Sequence, residues 1–203
     1  MSEKALKSLL QNVRKCRVCI GGDIAKPLPH DPRPIVRGTA KARICIAGQA
    51  PGTRVHASGI PFDDPSGDRL REWLGVDRDT FYDESKFIIA PMGFCFPGLD
   101  AKGGDLPPRK ECAPLWREQL FEALPNVQLT LVIGQYAQAW HLGKSRKKNL
   151  TETVTHWRDY MPTHLPIPHP SWRNNVWLNK HPWFETDVLP ELRHQVSLHL
   201  TSR

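Results

Sequence analysis

The sequence predicts an α/β protein, a three-layer α/β/α sandwich built on a short, mostly parallel, four-stranded central sheet. Two observations lead there. Four short apolar runs, each the length of a buried strand, are separated by stretches whose apolar residues recur at helical spacing; strands alternating with helices favour a parallel sheet covered on both faces. No stretch repeats another, and 203 residues suit one domain, so a single domain over residues 1–203 is expected.

The first strand is expected over residues 42–47, an Ala-Arg-Ile-Cys-Ile-Ala run ending at Gly48, with Cys45 as buried filler. Residues 66–74 follow as a helix with Leu70, Trp73 and Leu74 on one face and Ser66 able to cap it. A second strand covers 87–90. A long helix over 108–124 follows, with apolar residues at Leu115, Trp116, Leu120, Phe121 and Leu124. The third strand, 129–133, runs directly into a helix over 134–142. A short fourth strand lies at 165–168, and a helix over 185–200 closes the chain with Val188, Leu189, Leu192, Val196 and Leu200 as its stripe. Trp73, Trp116 and Trp140 sit on helical faces and are expected in the core. The prolines gather in residues 26–34, 96–108 and 162–170, which read as stiff, ordered loops rather than linkers.

Composition excludes several classes. An apolar fraction of 39% supplies a core and rules out a wholly disordered chain. The uncharged, largely apolar stretch over residues 87–99 has 13 residues and two prolines, too short to span a bilayer. Residues 1–15 carry charges at helical spacing and no small-residue cleavage site, so no secretory signal is read there. A soluble, cytoplasmic, monomeric protein is expected. Lys and Arg (28) outnumber Asp and Glu (21), and the net +7 suits a polyanionic partner as well as a merely soluble surface. The Lys144–Lys148 run reads as a solvated loop, with phosphate contact as its second reading.

Cys16 and Cys19 form a C-x2-C pair; Cys95 and Cys112 come much later, with sixteen residues between them. Thiols of an intracellular chain are not expected to pair as disulfides. Four of them converging suit structural zinc or a 4Fe–4S cluster, and unliganded core thiols are the third reading. Spacing does not choose among the three.

Two loops carry candidate chemistry. Gly48-Gln-Ala-Pro-Gly52 follows the first strand and continues to Gly59-Ile-Pro-Phe62. It has neither the Lys-Ser/Thr of a P-loop nor G-x-G-x-x-G spacing. Ligands of open α/β sheets bind where it must lie, at the carboxyl ends of strands. Pro168-His169-Pro-Ser171 follows the last strand, and a histidine between two prolines has a stiff backbone that suits a positioned hydrogen-bond donor.

Taken together and in order, GQAPG…GIPF, HPS and C-x2-C…C-x16-C resemble the uracil-DNA glycosylase superfamily, its iron–sulfur-containing branch above all, from Cys16 to Asn174. The resemblance implies an enzyme that extrudes deoxyuridine from DNA and hydrolyses its N-glycosidic bond, releasing free uracil. It implies that Phe62 stacks on the flipped base and that His169 donates to the oxygen on which leaving-group charge develops. Gly48, Gln49, Ala50, Gly52 and Ser171 would line the base site. Trp172, Arg173 and Asn174 would enter the emptied stack or grip phosphate. Cys16, Cys19, Cys95 and Cys112 would hold a structural 4Fe–4S cluster.

The chain departs from that pattern in three places. Relatives carry a carboxylate at the position of Ala50 or of Gln49, and here neither is one. Pro61-Phe-Asp-Asp64-Pro-Ser-Gly67 resembles instead a Pro-Phe-x-x-Asp-x-Ser-Gly pattern of some members. That makes Asp64 the expected catalytic carboxylate, Asp63 the second choice and Gln49 a water-orienting amide; the other reading of Asp63 or Asp64 is a helix cap. Pro91 stands four residues before Cys95, where an Asn that reads the uracil edge is expected. Gly52 replaces a tyrosine that blocks the thymine methyl. No lysine stands in either loop to form a Schiff base, so a monofunctional glycosylase leaving an abasic site is expected. Two other functions fit: excision of another deaminated base such as hypoxanthine, and binding of DNA without turnover.

Overall fold

A computed structural model describes residues 3–21 and 27–201 of the chain. Met1, Ser2 and Lys26, which belong to the amino-terminal segment and the first proline-rich stretch read above, lie outside the described residues. Strands β1 (Ile44–Ala47), β2 (Phe87–Ile89), β3 (Leu129–Ile133) and β4 (His164–Ile167) form one sheet in the order β2-β1-β3-β4, every pairing parallel. β1 is buried at all four positions, as continuous apolar runs covered on both faces require. Pro166 lacks a backbone N–H and is tolerated because β4 is an edge strand.

The helices are α1 (Glu3–Arg14), α2 (Thr53–Ser58), α3 (Pro65–Leu74), α4 (Arg78–Tyr82), α5 (Cys112–Glu122), α6 (Gly134–Leu142), α7 (Leu150–Thr155), α8 (Asn175–Lys180) and α9 (Leu189–Thr201). The period-2 alternation of the strands sorts them into layers. Cys45, Ala47, Ile88 and Val132 face a core made with Leu6 and Leu10 of α1, Leu120 of α5 and Ala137 of α6. Ile44, Ile46, Phe87 and Leu131 face the other, made with Leu70 and Trp73 of α3, Phe81 of α4, Val154 of α7 and Leu192 of α9. The expected three-layer α/β/α sandwich on a four-stranded sheet is what forms.

Several boundaries move, each for a local reason. The first strand starts at Ile44 because Ala42 N–H closes a turn on Thr39 O. The helix expected from 108 starts at Cys112, after a turn that Cys112 N–H closes on Arg109 O. The closing helix opens as a wide π turn over Phe184–Val188; Pro190, with no N–H for residue 186, interrupts the regular ladder there. The cap of α3 is Asp64 rather than Ser66. Trp140 is 44% exposed and is not a core residue, because α6 turns that face to solvent.

From β1 the chain crosses to β2 on one side and returns to β3 on the other. Diverging connections leave a crevice beyond the carboxyl ends of β1 and β3.

Candidate active site

The residues after β1 and after β4 meet in that crevice. Gly48, Gln49, Ala50, Gly52, Phe62, Asp64, His169, Ser171, Arg173 and Asn174 line one cavity of about 320 Å3, a size that admits a small ring compound. Trp172 is not in its wall; 69% exposed, it projects beside it with Arg173 stacked 5.7 Å from its ring. Asp63 also lies outside the lining and pairs with Arg78 at 2.8 Å.

The two loops are brought together by α3. Asp64 caps its first turn, Oδ1 accepting from Gly67 N–H at 2.9 Å. One turn on, Arg69 donates to Ser171 O (3.2 Å) and to Asn175 Oδ1 (2.8 Å), tying the helix to the loop after β4. Phe62, just before the cap, has φ +56°, a left-handed conformation that strains a bulky residue. It is held there by Arg71, which donates to Phe62 O at 3.3 Å, and by an edge-on contact with Phe81. Gly67 makes this possible, because a Cβ there would stand 1.7 Å from Phe62 O. On the cavity side, the Phe62 ring lies where a Cβ on residue 48 would touch it, 3.4 Å away.

His169 is held at both its backbone and its ring. Asn174 Nδ2 donates to its carbonyl at 2.7 Å, and Ser171 N–H donates to its Nδ1 at 3.2 Å. An accepting Nδ1 puts the proton of the neutral ring on Nε2. Burial holds the imidazole below its ordinary pKa, with the Asp64 charge opposing, which favours that neutral donor. Gly134, at φ +78°, takes the left-handed turn by which β3 passes into α6 beside His169.

Sequence reading missed two features of this cavity. Asp105 lines it, standing over Gly52, with its carboxyl pushed above the ordinary value first by burial and then by Asp64 and Asp100, against the pull of Arg173. Its Gly-Gly-Asp-Leu-Pro-Pro setting reads only as a stiff loop, with no spacing to mark it. The second is Arg117, 1% exposed, which donates to Ala90 O and Pro91 O at 3.0 Å each and so fixes the wall where Pro91 stands.

Elsewhere, Cys16, Cys19, Cys95 and Cys112 line a small cavity of about 20 Å3 between α1, α5 and the 94–95 segment. The Cys95 and Cys112 thiols are pushed up to about 12, by burial first, and the charges of the neighbouring cysteines raise them further. Phe94 N–H donates to Cys112 Sγ at 3.3 Å. Among the described residues no three His, Cys, Asp or Glu side chains are grouped so as to hold a metal ion. No helix among them is long and apolar enough to cross a membrane.

A neutral imidazole donor and two carboxylates facing one walled cavity at the carboxyl ends of a parallel sheet are the equipment of a hydrolytic enzyme. The model of the Uracil DNA glycosylase superfamily matches residues 35–193, and the chain belongs to that superfamily. Membership makes DNA the partner and the bond between a base and its deoxyribose the class of bond hydrolysed. The match starts downstream of Cys16 and Cys19.

Proposed function

We propose that the protein excises uracil from DNA as a monofunctional glycosylase, leaving an abasic site and free uracil. The observation that supports this best is His169: a neutral ring, its Nε2–H left as donor by the Ser171 bond, in a cavity walled by the Gly48–Gly52 loop and Phe62. Uracil departs as an anion, and a donor already aimed at its developing charge lowers the barrier without reorganising at the moment of reaction. Phe62 offers the face on which an extruded base stacks, and prising that base out of DNA costs a few kcal/mol. Trp172, exposed beside the cavity, is assigned the role of wedge that offsets this cost, with Arg173 and Asn174 at the same edge. Asp64, whose charge reaches His169, is assigned to the sugar, where positive charge develops as the bond breaks. Gln49 is assigned to orient the water.

The four cysteines are assigned to a 4Fe–4S cluster. The chemistry of the donor set fits: four thiols line one small cavity, one of them accepting an N–H···S bond. The cluster would act as a structural staple between the segment after α1 and the start of α5, with the chemistry of base release left to the other cavity.

Incubating the full chain with labelled oligonucleotides carrying one uracil or one hypoxanthine, followed by alkali, tests the reading. Cleavage at uracil supports it. Cleavage only at hypoxanthine replaces the substrate, and binding without cleavage removes the enzyme.

A further inference from the structure

We propose that Asp105 is a catalytic residue of this site: the base that takes the proton of the attacking water, while Asp64 holds negative charge against the cationic sugar. The assignment rests on the glycosylase reading above and deepens it.

Asp105 is delivered to the cavity by a closed turn. Its backbone bridges antiparallel to Leu99, Asp100 Oδ1 accepts from Lys102 N–H and Gly104 N–H at 2.8 Å each, and Leu106 N–H donates to Gly98 O at 3.0 Å. The loop after β4 clamps the turn from the other side, Arg173 donating to Gly103 O at 3.0 Å. A carboxylate carried this way is positioned rather than mobile. It stands directly over Gly52, where an added methyl would meet Oδ2 at 3.5 Å, so the absence of a side chain at 52 leaves the carboxylate facing open cavity.

The two carboxylates are not equivalent. Asp64 commits Oδ1 to the cap of α3, whereas neither oxygen of Asp105 accepts a hydrogen bond from a described residue. Asp64 acts on the charge of His169; Asp105 does not. Charged groups facing Asp105 are Asp64 from the cap of α3, Asp100 from its own turn and Arg173 from the loop after β4. Burial makes it more basic than an ordinary aspartate, and a proton acceptor works best as its pKa rises toward the working pH. The water oxygen bonds to C1′ as the C1′–N1 bond breaks. The bonding pair leaves with the base toward His169 Nε2–H, one water proton passes to Asp105, and Asp105 later releases it to solvent. No other reactant is needed.

The test is single-turnover excision of uracil from an oligonucleotide by wild type, Asp105→Asn and Asp105→Glu across acid to mildly alkaline pH, with DNA affinity measured alongside. Asp105→Asn is expected to lower the rate by about 100-fold or more at unchanged DNA affinity, with partial recovery in Asp105→Glu. The wild-type rate is expected to fall in acid with a midpoint above the ordinary aspartate value of about 3.9, a limb that the Asn variant lacks. A rate within about threefold of wild type, or a loss that follows DNA affinity alone, overturns the assignment and leaves the glycosylase reading standing. An inactive wild type on uracil overturns both. Carboxyl-carbon NMR titration of the wild-type chain is independent of turnover and of how the variants fold. A midpoint for Asp105 at or below about 3.9 also overturns the assignment.

Discussion

Replacing His169 by Ala removes the one side-chain donor whose tautomer the cavity dictates. Ser171 N–H occupies Nδ1 at 3.2 Å, so the ring offers a single N–H, and only one hydrogen bond to the leaving base is lost. A donor that meets developing negative charge in an enclosed site is worth about 3–4 kcal/mol, which predicts a fall of roughly 10²–10³ in the excision rate. Because the bond strengthens in the transition state, single-turnover rate should drop far more than affinity for uracil-containing DNA. Burial lowers the imidazole pKa, so the working neutral form persists below the ordinary value of about 6.5 and His169 itself should impose no rate loss near neutrality. Stopped-time assays on a uracil oligonucleotide, read beside thermal melting, check this. A variant that excises at the wild-type rate while melting normally would remove His169 from the chemistry and with it the reason for assigning this cavity to base release.

Asp64→Asn keeps a good helix cap but loses the charge; turnover should fall by about 100-fold with a stability change under about 1 kcal/mol, and the reverse pattern would leave Asp64 a cap alone. Gly67→Ala would drive a methyl into the Phe62 carbonyl, 1.7 Å away. A loss of about 3 kcal/mol, seen as a Tm lower by roughly 6–12 °C, is expected, and an unchanged melt contradicts the packing at Phe62. Cys112→Ser should release iron and sulfide and lower the melting temperature, whereas purified wild type that is colourless and carries zinc rules out the cluster. His141, buried against Arg117, has its pKa lowered to about 2 by burial first and the guanidinium second. The unfolded chain therefore takes up this proton first, near pH 6.5, and the stability present above that pH is lost as pH falls toward 2. His141→Gln should flatten denaturant-measured stability against pH in that window by up to about 1.4 kcal/mol per pH unit; an identical slope contradicts it.

The sheet was legible because strands buried on both faces must be apolar at successive positions: residues 129–133 are strand β3 and the 87–90 run contains β2. Short helices such as α2 and α8 were not, since one or two turns hold too few apolar residues to show a period. Trp140 misled because a tryptophan at helical spacing says nothing of which face the neighbouring layer covers. In the cavity, glycines and prolines marked both loops through their backbone chemistry. Asp105 escaped because a turn more than fifty residues from Gly52 delivers it, and only the folded chain brings the two together. Arg117 escaped in the same way, its partners at Ala90 and Pro91 being backbone atoms that carry no sequence signature.

The most direct test is a structure of the chain with uracil-containing DNA trapped at the abasic product. Uracil is expected on the face of Phe62 with its O2 about 2.7–3.1 Å from His169 Nε2. A base bound elsewhere on the protein, or a residue-169 ring turned away from it, would contradict the central claim that these two loops form one hydrolytic slot.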